Sequence, residues 1–175
     1  FELAVILSRY SQGANILTPD TNEIQDLSFL DYFQRFVSEN HPMAENLLQY
    51  INTNTSSFNG NNPLHHGALI ENLNILKFSL EHAVNIEERN LDGNTPLHIA
   101  AASNSEKIVK YLLENGASST QFVTNKAGKI PLEVARHNKN IFRIILIDFL
   151  NYALKSPKFS SNEFQEQLGG LKGLK

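Results

Sequence analysis

The sequence predicts an all-α fold, a solenoid of stacked helix-turn-helix units joined by hairpin-like turns, and three observations predict it. Pro63, Pro96 and Pro131 stand 33 and 35 residues apart, each followed by Leu and preceded by a turn that carries Gly60, Gly93 or Gly128. A repeat period of roughly 20–50 residues belongs to stacked, elongated arrays. Behind each Pro-Leu start a second stretch carries apolar residues at helical spacing, as in Ile108, Val109, Leu112 and Leu113. Neither helix of such a unit buries its apolar face alone, so every unit demands a neighbour.

The middle unit justifies each element in turn. Asp92-Gly93 is a tight-turn pair, because Gly tolerates positive φ and Asp bonds its own backbone nearby. Thr95 is placed to cap a helix, with Pro96 at its first position, where a missing N–H costs nothing. Leu97, Ala100 and Ala101 give that short helix a small-residue face, which lets another helix approach closely. Asn104-Ser105 ends it, the second helix carries the broad apolar stripe, and Gly116 closes the unit where a left-handed residue is needed.

Upstream, Asn62-Pro63-Leu64-His65-His66-Gly67-Ala68 leads to Ile75-Leu76-Lys77-Phe78-Ser79-Leu80 in step with the middle unit. Downstream, Ile130-Pro131-Leu132-Glu133-Val134-Ala135-Arg136 leads into 141–150 after a two-residue expansion around Phe122-Val123-Thr124. The pattern resembles the ankyrin repeat: a hairpin turn, a short helix opening Thr-Pro-Leu-His, a longer helix and a Gly-Ala exit. The resemblance is specific over 59–126 and extends to about 150. It implies three repeats, 59–91, 92–126 and 127–154, and a structural role for His65 and His98, which match the motif His. Three positions depart from the pattern: Ala83 replaces the exit Gly, Glu133 the motif His, and Arg136 a small residue that would meet a further unit. Arg136 therefore marks the C-terminal cap of the stack.

Residues 1–58 lack the turn motif. Leu3, Ala4, Ile6, Leu7 and Tyr10, then Gly13-Ala14, read as the second helix and exit of a truncated unit, and thus as part of a longer protein. Apolar helical stretches follow at 27–37 and 43–51, broken by Asn40-His41-Pro42. Leu47-Leu48 precede Leu80 by about one period, in keeping with a degenerate repeat; an unrelated helical pair that caps the stack or belongs to another domain is the alternative. Past Leu154, Lys155-Ser156-Pro157-Lys158 reads as a stop, and 155–175 as a C-terminal tail, partly flexible, with one more amphipathic turn or two over 159–168.

Composition narrows the function. Net charge is −3, with −5 in 1–58, zero in 59–154 and +2 in 155–175, so no basic footprint for nucleic acid appears. No apolar run of about 18 residues is present to span a membrane. The sequence has no Cys, which excludes disulfides, thiolate nucleophiles and Cys-type zinc sites and is compatible with the cytoplasm. The six His residues offer no metal set: His65-His66 are adjacent and splay apart on a helix, and His41 with Glu45 finds no third ligand. No Gly-x-Ser-x-Gly elbow or phosphate loop occurs, and His41-Pro42 lacks the Gly-rich remainder of a Fic-type motif. The reading is of a monomeric protein without cofactor, metal or enzymatic activity.

The resemblance places a partner protein on the concave groove formed by the turn tips and the exposed face of the short helices. Its expected contacts are Phe58, Asn59, Asn61, Leu69 and Ile70 in the first unit and Arg89, Leu91, Asp92, Asn94, Ala102 and Ser103 in the second. Lys126, Lys129, His137 and Asn138 follow in the third. Phe58 and Leu91 are apolar where turn tips are ordinarily polar, a natural interface centre with Arg89, Asp92, Lys126 and Lys129 as its charged rim. A protein-interaction module is the favoured function. The alternative is the targeting or regulatory arm of a larger enzyme, as in ankyrin-bearing effectors of intracellular bacteria, which act in a host cell cytosol; the 21 Asn residues are in keeping with such a source.

Overall fold

The computed structural model describes residues 29–53 and 59–155. The readings made for 1–28, for Phe58 and for 156–175 lie outside the described residues. Among the described residues eight α-helices follow in order: α1 (Phe29–Ser38), α2 (Met43–Thr53), α3 (Pro63–Leu69), α4 (Leu73–Glu81), α5 (Pro96–Ala102), α6 (Glu106–Glu114), α7 (Pro131–Val134) and α8 (Lys139–Lys155). Short 3₁₀ turns occupy Ala117–Thr120 and Ala135–His137. Each of α3, α5 and α7 begins at its Pro.

The helices pair as hairpins, α3 with α4, α5 with α6 and α7 with α8, and the short first helices stack α3 on α5 on α7. Among the second helices α6 packs on α8. A single apolar cluster runs from Phe33 through Leu64, Leu97, Leu112 and Leu132 to Phe149, so the hairpins share one interior. The approach is close where side chains are small: a Cβ on Gly67 would stand 3.1 Å from both Ile75 and Leu76.

Two elements depart from the regular pattern of the middle unit. The spacing of Leu47-Leu48 to Leu80 puts α2 in register with the second helices. The packing instead sets α1 against the second helix α4, and α2 against the first helix α3. Phe33, fully buried, meets Phe78 of α4 edge-on at 6.4 Å and draws α1 to that row. In the last unit the first helix is only four residues long before it tightens into a 3₁₀ turn. Arg136, exposed where Ala101 is buried, cannot enter a helix–helix seam.

The two-residue expansion before the third unit is anchored to α8. Asp148 accepts from Ser118 Oγ at 2.7 Å and from Gln121 Nε2 at 2.6 Å. The Phe122 ring lies 4.7 Å from that of Phe149.

Candidate partner-binding surface

The surface is assembled on two histidines. A helix leaves its first N–H groups unpaired, and the third residue of each Pro-Leu-His start reaches back to them. Thr95 N donates to His98 Nδ1 at 3.1 Å, and the Thr95 hydroxyl lies 2.9 Å from the same atom. His98 Nε2 then donates to the carbonyl of Lys129 in the next unit at 3.1 Å. An N–H arriving at Nδ1 and a carbonyl at Nε2 require the neutral ring with its proton on Nε2. His65 makes the same link to the next unit, with the Asn94 carbonyl at 2.9 Å from Nε2, but its Nδ1 faces both Asn62 N at 3.2 Å and the Asn62 side-chain Oδ1 at 2.6 Å, an acceptor where His98 has a hydroxyl. Burial pushes the His65 pKa down to about 4, outweighing the Asn94 carbonyl that raises it. His66, buried beside it, is pushed down to about 4 by burial and by His65, and burial likewise lowers His98.

Glu133 holds the same position in the last unit and keeps half of the role. Its Oε2 accepts from Ile130 N at 2.9 Å, but a carboxylate has no proton to extend to a following carbonyl.

The turn tips are tied to one another by backbone. Leu91 N donates to Asn59 O at 3.2 Å, and Lys126 N to Asp92 O at 2.9 Å. Inside the second and third tips an Asn folds the loop on its own side chain. Asn90 Oδ1 accepts from Asp92 N and Asn94 N, and Asn125 Oδ1 from Ala127 N and Lys129 N. Their amide groups point back one unit, Asn90 Nδ2 to Asn61 Oδ1 and Asn125 Nδ2 to Asn94 Oδ1, both at 2.8 Å. Asn90 and Asn125 were not among the expected residues. The signal was present as an Asn two residues ahead of Asp92 and Ala127, the Asx-turn position.

A second ladder runs along the exits of the first helices. Asn104 N donates to Glu71 Oε1 at 3.3 Å, and Asn138 Nδ2 to Asn104 Oδ1 at 3.4 Å. Asn138 Oδ1 also caps α8, accepting from Asn140 N and Ile141 N.

The expected contacts therefore divide. Asn61 and Asn94 are half-buried and turned toward neighbouring units. Arg89 is exposed yet braced, Nε on the Gly93 carbonyl at 3.2 Å and Nη2 on the Thr124 carbonyl at 2.6 Å. Ser103, half-buried, returns its hydroxyl to Ala100 O at 2.7 Å. Asn59 is exposed, with Nδ2 at 3.4 Å from Asp92 Oδ2. Leu69, Ile70 and Leu91 are 58%, 40% and 53% exposed. Ala102, Lys126, Lys129 and His137 are exposed.

The chemistry left open is apolar contact and long-range charge. Among the described residues no group of three or more His, Asp or Glu is placed to hold a metal ion. Among them, too, no helix is long and apolar enough to cross a membrane. A family model described as ankyrin repeats (3 copies) matches residues 33–123 and 71–155. A comparison with curated proteins finds no match.

Proposed function

This chain belongs to the ankyrin-repeat family, whose members are generally protein-interaction modules, and from that premise we propose that it binds a partner protein through the concave groove of its stack. The observation that carries the proposal is the contrast between satisfied and free groups on that side. The polar atoms of the tips are largely spent on neighbouring units, while Leu69, Ile70 and Leu91 are exposed on adjacent units. Apolar anchors with a charged rim are what a protein interface requires at its centre, and here Asp92, Lys126 and Lys129 supply the rim.

The chain acts in this reading as a monomer and by binding alone, without catalysis. The balanced charge of 59–154 favours a protein over a nucleic acid. The absence of Cys suits the reducing cytoplasm.

The test is affinity capture with the whole chain as bait, followed by mass spectrometry, wild type beside the double variant Leu69→Ala/Leu91→Ala. A discrete protein retained by the wild type and lost by the equally stable variant supports the groove. Identical captured sets from both baits contradict it.

A further inference from the structure

The charge of the groove changes sign along the stack. Its three tip-to-exit stretches are 59–72, 91–105 and 126–138, aligned by the bonds from Leu91 N to Asn59 O and from Lys126 N to Asp92 O. The first carries Glu71 alone and the second Asp92 alone, whereas the third carries Lys126, Lys129 and Arg136 against Glu133. The change is made position by position. Lys126 holds the tip site of Leu91, Lys129 the site of Asn61 and Asn94, and Arg136 the site of the buried Ala101. Asn61 and Asn94 each accept from the unit that follows; among the described residues no further unit follows Lys129, and its side chain is exposed.

All three cations are exposed, and among the described residues none stands within ion-pair distance of a carboxylate. Glu133, the one acid of the stretch, spends Oε2 on Ile130 N. A terminal repeat needs a polar outer face, which mixed charges would supply equally well. Like charges gathered without a counter-charge repel one another, and an anion relieves them.

Dimensions and neighbours say which anion fits. Helix α7 and the 3₁₀ turn after it span roughly 12 Å, at about 1.5 and 2.0 Å per residue, so Lys129 and Arg136 bracket about four residues of extended chain. Stacked helices lie about 8–10 Å apart, which sets the exposed Leu91, then Leu69 and Ile70, roughly 10–20 Å from the cations. An extended segment crosses that distance in about three to six residues. A nucleic acid fits less well, because its phosphates recur every roughly 1.7 Å of duplex and would continue over the exposed Asp92 and Glu71.

On the binding role proposed above for the groove, on which this rests, we infer that the groove takes an extended acidic segment of its partner protein. Apolar residues of that segment lie over Leu69, Ile70 and Leu91, and a cluster of its carboxylates lies on Lys126, Lys129 and Arg136. The bound chain thus has a fixed polarity along the stack.

The test uses the full chain to select from a displayed library of random peptides about twelve residues long, beside the variants Lys129→Glu/Arg136→Glu and Leu69→Ala/Leu91→Ala. Peptides enriched by the wild type are expected to join apolar residues to a run of Asp and Glu. A synthetic copy of one binds at least about tenfold tighter than its Asn/Gln counterpart at low salt, and the ratio shrinks at high salt. The charge-reversed variant loses that ratio at an unchanged melting temperature, and the apolar variant weakens both peptides. Enriched peptides without acidic bias overturn the acidic segment, and if the apolar variant loses them the groove reading still stands. Acidic peptides retained by both variants overturn both readings. No enrichment, or a DNA duplex or phosphatidylserine vesicle bound through these cations in place of peptide, also overturns the acidic segment.

Discussion

His98 Nε2 donates to the carbonyl of Lys129, 31 residues further along, at 3.1 Å, while Nδ1 of the same ring takes the N–H of Thr95. One side chain thus closes the start of its own helix and fastens it to the next unit. Removing it to Ala leaves the buried Thr95 N–H unpaired and cuts the link, a loss of about 2–3 kcal/mol. Glu133→Ala removes one cap bond at a half-exposed site and costs about 1 kcal/mol. Urea unfolding of both variants checks the order; equal losses would mean that the bond to Lys129 contributes nothing.

Acid weakens the stack through its buried histidines. His65 and His66 ionise near the ordinary 6.5 when unfolded and only at about 4 when folded, so between those values the unfolded chain binds the extra protons. Stability from these rings is complete above about pH 6.5 and is lost as pH falls toward 4. For His65 alone the loss by pH 5 is up to about 2 kcal/mol. Urea midpoints measured from pH 7.5 to 5 fall, and His65→Gln shallows the slope. A flat profile would show that these rings are not held neutral by the fold.

Glycines in the turns separate stacking from local strain. Gly60, Gly93 and Gly128 share φ near +73 to +75, where any side chain is strained by about 1–2 kcal/mol. A Cβ on Gly60 would lie 2.5 Å from Leu91 N of the next tip, whereas one on Gly128 meets nothing within 4 Å. Gly60→Ala is therefore more destabilising than Gly128→Ala by at least about 1 kcal/mol, the overpacking contribution. Thermal melts of the two variants compare them, and an equal pair of Tm values contradicts tip-to-tip packing.

Ala83 holds φ +56 at the exit of the first clear unit, where the next unit has Gly116 at φ +107. Its exposed side chain stays in the left-handed region without compensation. Ala83→Gly relieves the strain at some cost in chain entropy, for a net gain of about 0.5–1 kcal/mol. A Tm below wild type would show that Ala83 is not strained.

The periodic part of the fold was legible because its constraints are local. Pro, the turn Gly and the Thr-Pro-Leu-His start each answer to the backbone within a few residues, and α3, α5 and α7 begin at the predicted prolines. The placement of α1 and α2 was not legible, since Phe33 finds Phe78 across 45 residues with no motif between them. On the candidate surface Leu69, Ile70 and Leu91 stand exposed as their positions in the repeat imply. Asn61, Asn94 and Arg89 read as ordinary polar tip residues, and only the geometry of the neighbouring unit shows their hydrogen bonds spent.

Everything proposed for this chain rests on a division between a scaffold of shared interior and an edge left free. Leu112, fully buried in the core, and Leu91, 53% exposed at a turn tip, are the same residue type on either side of it. Calorimetric melting of Leu112→Ala and Leu91→Ala tests the division most directly. Leu112→Ala is expected to lose about 2–5 kcal/mol through the cavity it leaves, and Leu91→Ala to melt with the wild type, within about 0.5 kcal/mol. A Leu91→Ala chain that unfolds, or a Leu112→Ala chain that melts unchanged, would contradict the account.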